Sequence, residues 1–186
     1  PFTGEGEVKV DSIKPLIDYQ VKGGVDGVFL CGTAGSGPIM RSDQRVQMFK
    51  ESVKAIGGRI TSLAHVGAPS TEEAVNLAIE AQNAGVDAVG AVPPFFFKPD
   101  RISIINHFKA IADAITIPLY VYNIPGNALN AVTPDMMLEL ANVPNITGVK
   151  DSSKDFINLL NYLRLLPEDF NVISGSDSYI YPAIMM

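Results

Sequence analysis

The chain has 186 residues, a length that suits one domain. Its 47% hydrophobic and 18% charged composition supplies a sizeable core and excludes a disordered segment. The net charge of −6, with no run of Lys and Arg, argues against nucleic acid or an anionic membrane as partner.

In chain order, short apolar or β-branched runs predict strands at Gly27–Cys31, Ile60–His65, Ala88–Val92, Leu119–Tyr122, Ile146–Lys150 and Val172–Ser174. Their starts recur every 26 to 33 residues, about one strand–helix unit. One unit echoes another: Lys22-Gly23-Gly24-Val25-Asp26 resembles Asn83-Ala84-Gly85-Val86-Asp87, and each Gly ends a helix by taking positive φ. Between the strands, Ser42 starts one helical pattern. Ser70 or Thr71 caps the next, with Glu72 and Glu73 in its first turn, and Thr133-Pro134 opens another. Strands apolar on both faces and alternating with helices mean a parallel sheet covered on both sides.

Two architectures fit, an open doubly wound sheet and a closed barrel. The even rhythm and the lack of a G-x-G-x-x-G after the first strand favour an α/β (β/α)8 barrel. Counting then assigns the six runs to strands 2–7 of a single domain over 1–186, incomplete at both ends, with strands 1 and 8 outside. Cys31, the one cysteine, rules out an internal disulfide and fits a reducing, cytoplasmic compartment. No apolar run approaches the roughly 20 residues that span a bilayer.

In a barrel the active site forms where strands end and the loops to the helices begin. Those positions hold Gly32-Thr33-Ala34-Gly35, Pro93-Pro94-Phe95-Phe96, Tyr122-Asn123, Lys150-Asp151 and Gly175-Ser176-Asp177. Lys150 stands out, because a lysine at the end of a core strand is a candidate amine nucleophile. The bland reading has it reaching solvent and paired with Asp151. Tyr122, beside it in a barrel, is either a proton relay or an aromatic packing the mouth. The Gly-rich loop could hold a carboxylate on backbone N–H groups and the Thr33 hydroxyl, or it is a simple turn. His65, His107 and Cys31 lack metal-ligand spacing. Among them, His107 reads as a surface residue of a helix, His65 as a structural histidine and Cys31 as core packing.

Together these segments resemble the pyruvate-dependent class I aldolases of the dihydrodipicolinate synthase and N-acetylneuraminate lyase family. Pro1-Phe2 resembles the end of its Thr-Pro-Phe motif, Gly32-Thr33-Ala34-Gly35 its Gly-Thr-Thr-Gly loop, and Pro94-Phe95-Phe96 its Pro-Tyr-Tyr segment. Tyr122-Asn123-Ile124-Pro125 is similar to its Tyr-Asn-x-Pro motif, Gly148-Val149-Lys150-Asp151-Ser152-Ser153 to its Schiff-base signature, and Ser174-Gly175-Ser176-Asp177 to its strand 7 motif. The resemblance implies a carbon–carbon lyase acting on pyruvate and an aldehyde, with no metal or organic cofactor. It implies Lys150 as the Schiff-base lysine, Tyr122 as the proton shuttle, and Thr33, Ala34, Gly175 and Ser176 as substrate contacts. It also implies a homotetramer.

Three positions depart from the family pattern. Ala34 replaces a Thr, Phe96 stands where many members have a relay Tyr, and Asn127 where dihydrodipicolinate synthases carry an Arg for the dicarboxylate substrate. Gly37-Pro38 and Phe95-Phe96-Phe97 resemble segments of archaeal 2-keto-3-deoxygluconate aldolases. The expectation is therefore a sugar-acid aldolase. The alternatives are condensation of pyruvate with aspartate semialdehyde, or a non-catalytic barrel that binds a 2-oxo acid.

Overall fold

A computed structural model describes residues 1–185. The strands are β1 (Gly27–Leu30), β2 (Thr61–His65), β3 (Ala88–Ala91), β4 (Leu119–Asn123), β5 (Ile146–Asp151) and β6 (Asn171–Ser174). They form one parallel sheet in the order β1-β2-β3-β4-β5-β6. The order never reverses, so the doubly wound alternative, which needs a switch point, is excluded. Each predicted strand is present to within a residue or two at its ends. Cys31 falls just outside β1: it is buried but takes φ 54° at the start of the following loop.

The sheet is curled. Side chains of β1 and β5 meet across its inner face, with Lys150 Nζ 5.7 Å from the centre of the Phe29 ring. In a flat sheet, strands four places apart would stand about 19 Å from one another. This curled α/β sheet is consistent with part of a barrel.

The helices α1 (Ile13–Lys22), α2 (Ser42–Ile56), α3 (Thr71–Ala84), α4 (Arg101–Ala114), α5 (Pro125–Ala128), α6 (Pro134–Leu140), α7 (Phe156–Leu165) and α8 (Ile180–Ile184) fill the connections. From α1 to α4 each helix packs on its successor, then α4 on α6 and α6 on α7. The main core lies between this ring and the outward side chains of the strands. Leu30, Ala64, Val89, Val121 and Val149 there meet Phe49, Leu77, Phe108, Met137 and Tyr162 from the helices. A smaller cluster of Val8, Ile13, Ile17 and Ile56 seats α1 on α2.

Helix ends follow from local chemistry. The Ser70, Asp100, Thr133 and Asp155 side chains accept from N–H groups three residues on, capping α3, α4, α6 and α7. Gly24 and Gly85 take φ 78° and 86°, as the repeated segment predicts. Ser42 begins α2, but its hydroxyl donates to Glu73 on α3 (2.7 Å) and caps nothing.

His107 corrects the sequence reading: it is 1% exposed, on the inner face of α4 with Ile104, Phe108 and Ile111. Its Nδ1 lies 3.0 Å from the Thr71 hydroxyl at the start of α3. A tertiary partner one helix away makes burial of the imidazole tolerable, and no spacing within α4 signals it.

Candidate active site

Strand alternation sends Phe29, His65, Tyr122 and Lys150 to the inner face of the curl. Tyr122 and Lys150 are direct register partners on β4 and β5. The Lys150 ammonium sits 3.8 Å from the centre of the Tyr122 ring. It donates to Ser152 Oγ at 3.0 Å. Asp151 does not pair with it, contrary to the bland reading of this lysine. One residue along the strand, Asp151 faces outward and accepts from Asn123 Nδ2 (2.7 Å), Ser153 Oγ (2.8 Å) and Asn158 Nδ2 (3.3 Å).

The Tyr122 phenol is 3.5 Å from Thr33 Oγ1. Burial works to raise its pKa. Hydrogen bonding to Thr33 and the hydrogen bond and charge of Lys150 outweigh that and leave it below the ordinary phenol value. The ring is fixed edge-on by Phe29 (centroids 5.5 Å apart) and His65 (5.9 Å). His65 is itself buried. Desolvation, then the Arg45 and Lys150 charges, hold its pKa at about 3, so the imidazole is neutral. Its carbonyl accepts from Arg45 Nη2. Arg45 is 3% exposed and also donates to the Gly67 carbonyl at 3.0 Å.

The loop carrying Thr33 folds back tightly on Cys31. A side chain at Gly37 would lie 1.7 Å from the Cys31 carbonyl oxygen. The N–H groups of Ser36 and Gly37 bond to the Thr33 and Gly32 carbonyls, which closes the turn and presents Thr33 and Ala34 to solvent. Above it lies a cavity of about 390 Å³, lined by Thr33, His65, Val92, Phe95, Ile124 and Asn127 among others.

Of the expected site residues, the structure brings together Lys150, Tyr122, Thr33 and Gly175. Gly175 follows β6, and a Cβ there would lie 2.0 Å from Ser152 Oγ and 2.9 Å from Lys150 Nζ. Ala34 is exposed on the loop. Ser176 is half-buried one residue further on, where its carbonyl accepts from Ser174 (3.3 Å), and it makes no hydrogen bond to Lys150 or Tyr122. Phe96 is 76% exposed and stacks edge-on with Phe97 rather than with Tyr122.

Two features escaped the sequence reading. Ser152 contacts Lys150, and its signal was available: residues two apart on a strand share a face. Behind β4 and β5, Asn123, Asp151 and Tyr162 form a buried polar network. Asn123 Oδ1 accepts from the Val132 N–H at 3.0 Å, and the Tyr162 hydroxyl donates to the Val132 carbonyl. No local pattern identifies those partners. Among the described residues no three His, Cys, Asp or Glu gather as metal ligands, and no helix is long and apolar enough to cross a membrane.

Curated relatives include the 4-hydroxy-tetrahydrodipicolinate synthases of Bacillus velezensis (34% identical over 184 residues, covering 99% of this chain and 64% of the relative) and Nitrosospira multiformis (38% over 178 residues, 96% and 59%). Similar solved structures include dihydrodipicolinate synthase from Aquifex aeolicus (TM-score 0.95, 33% identity, 99% of this chain and 63% of that one). Another is the chloride-inhibited enzyme from Acinetobacter baumannii complexed with pyruvate (TM-score 0.95, 31% identity, 100% and 64%). The chain thus spans 64% or less of these relatives' length. The model of the dihydrodipicolinate synthetase family matches residues 1–186, and the chain belongs to that family.

Proposed function

We propose that the chain is the larger part of a (β/α)8 barrel whose Lys150 forms a Schiff base with pyruvate, so that a carbon–carbon bond to an aldehyde is made or broken. The observation that carries this reading is the Lys150 amine on the inner face, 3.8 Å from the Tyr122 ring centre and within reach of the hydroxyls around it. The amine adds to C2 of pyruvate and water leaves, its oxygen protonated by Tyr122. The C3 proton of the resulting iminium then passes to the Tyr122 phenolate as the C–H pair moves in to give an enamine. The enamine carbon attacks the aldehyde, and the new alkoxide takes a proton from Tyr122, whose phenol is held acidic by Thr33 and Lys150. Hydrolysis of the imine frees Lys150, and cleavage runs the same steps backwards. In this reading the Thr33 hydroxyl and the Ala34 N–H, from which no described residue accepts, hold the pyruvate carboxylate.

The relatives' names support condensation with aspartate semialdehyde better than the sugar-acid reading. One observation favours a sugar-acid aldehyde: the cavity beside Thr33 has Asn127 in its wall and no Arg, Lys, Asp or Glu. The apolar side chains of Ile39, Phe96 and Phe97, each more than two-thirds exposed near the mouth, support assembly with further copies of the chain.

The test is borohydride reduction of the full-length protein with pyruvate, followed by peptide mass spectrometry. A pyruvyl adduct on Lys150, absent from Lys150→Ala, is expected. A folded protein that forms no adduct overturns the reading and leaves a 2-oxo acid binder. Comparison of kcat/KM for aspartate semialdehyde and for glyceraldehyde with the same preparation then decides the aldehyde.

A further inference from the structure

Lys150 has two neighbouring hydroxyls, and only the phenol of Tyr122 has a role so far. Ser152 Oγ accepts from Nζ at 3.0 Å. The centre of the Tyr122 ring lies 3.8 Å from Nζ on the neighbouring strand. The backbone fixes this serine from both sides of its strand. Its N–H donates to the Asn123 carbonyl at the end of β4 (2.8 Å), and the next strand is tied in by the Gly175 N–H to the Asp151 carbonyl (2.7 Å). Gly175 leaves the space that the hydroxyl needs, because any side chain there would overlap Ser152 Oγ at 2.0 Å. The hydroxyl is therefore built against the amine by three strands, and it is half-buried, where bulk water competes poorly for its hydrogen bonds.

We propose that Ser152 is a catalytic residue that relays a proton from Lys150 to the pyruvate C2 oxygen during imine formation. This rests on the Schiff-base reading above. When the neutral amine adds to C2, its lone pair becomes the N–C bond and the carbonyl π pair moves to oxygen. The adduct then carries a positive nitrogen with a proton to lose and a negative oxygen that must gain one. Ser152 Oγ accepts the nitrogen's proton while its own hydroxyl proton passes to the alkoxide. The product is a neutral carbinolamine, and the serine ends as it began. Tyr122 stays free to protonate the departing hydroxyl in the next step. A seryl hydroxyl suits the first transfer because it donates and accepts at one atom without becoming charged.

The experiment is rapid-quench borohydride trapping on full-length protein, comparing the parent, Ser152→Ala and Ser152→Thr, with thermal melts alongside. Ser152→Ala is expected to slow imine formation by roughly 10- to 100-fold. Its half-saturating pyruvate concentration should stay within about threefold of the parent's, because the carboxylate contacts are elsewhere. Ser152→Thr, which keeps the hydroxyl, should restore most of the rate. Small proton-carrying buffers such as imidazole should accelerate Ser152→Ala and leave the parent unchanged. Parental trapping rates in Ser152→Ala overturn the proposal alone, as does a loss that neither threonine nor buffer repairs. Failure of the parent to form an adduct overturns the Schiff-base reading, and the relay with it.

Discussion

Gly175 shows how one residue type is set by its neighbours rather than by its own backbone. Its φ lies outside the left-handed region, so no turn requires glycine there. The requirement comes from Ser152 Oγ and Lys150 Nζ, which a Cβ would meet at 2.0 and 2.9 Å. Gly175→Ala is therefore expected to displace the serine and the amine together and to lower kcat/KM on the order of 100-fold, since displacements near 1 Å have such effects on reacting groups. Near-ultraviolet circular dichroism should stay parental. Unchanged activity in the alanine variant would mean that the three groups are not held as closely as described. That Lys150 and Tyr122 are neighbours on adjacent strands was legible from their places at strand ends. The finer roles of Asp151 and Ser152 follow from alternation: the residue next to Lys150 belongs to the outer layer, and the residue after that returns to the inner face.

At the scale of elements, strands and helix caps were readable because their causes are local. Short apolar runs, capping side chains and Gly24 and Gly85 at helix ends act within a few residues. The joint between α3 and α4 was not readable, because His107 is satisfied by Thr71, 36 residues away. That joint carries a pH dependence. Burial depresses the His107 pKa to about 4 and, with the Arg45 and Lys150 charges, that of His65 to about 3. The unfolded chain binds protons near pH 6.5 that the native state refuses. Stability is therefore full above about pH 6.5 and falls as the pH drops towards 4. Between pH 7 and 5 each imidazole should cost about 2 kcal/mol of unfolding free energy. Urea titrations of the full-length protein at the two pH values check this. His107→Gln is expected to remove about half of the combined loss, and an unchanged pH slope would show that His107 does not titrate on unfolding.

For the whole molecule, the curl of the sheet is what makes a site, since Phe29 of β1 and Lys150 of β5 share one cavity wall only because the strands wrap round. The two outer strands, β1 and β6, each pair on one side only among the described residues. Beside β1 a cavity of about 600 Å³ is lined by Phe2, Leu16, Ile17, Phe29 and Met48 among others. Unpaired parallel edges beside apolar surface promote association. A product limited to residues 1–186 is thus expected to form polydisperse assemblies by light scattering and to melt without a cooperative transition. A monomer with a sharp melt would count against the barrel reading. The sequence by itself determined the strand–helix rhythm, the parallel sheet, the family and the positions of Lys150, Tyr122 and Thr33, because each leaves a trace within one strand, one loop or one motif. Only the tertiary structure decided that Ser152 faces the amine, that Asp151 turns away to Asn123, and that His107, His65 and Arg45 are buried. Those outcomes depend on which groups from distant segments meet, as Thr71 meets His107 and the His65 and Gly67 carbonyls meet Arg45.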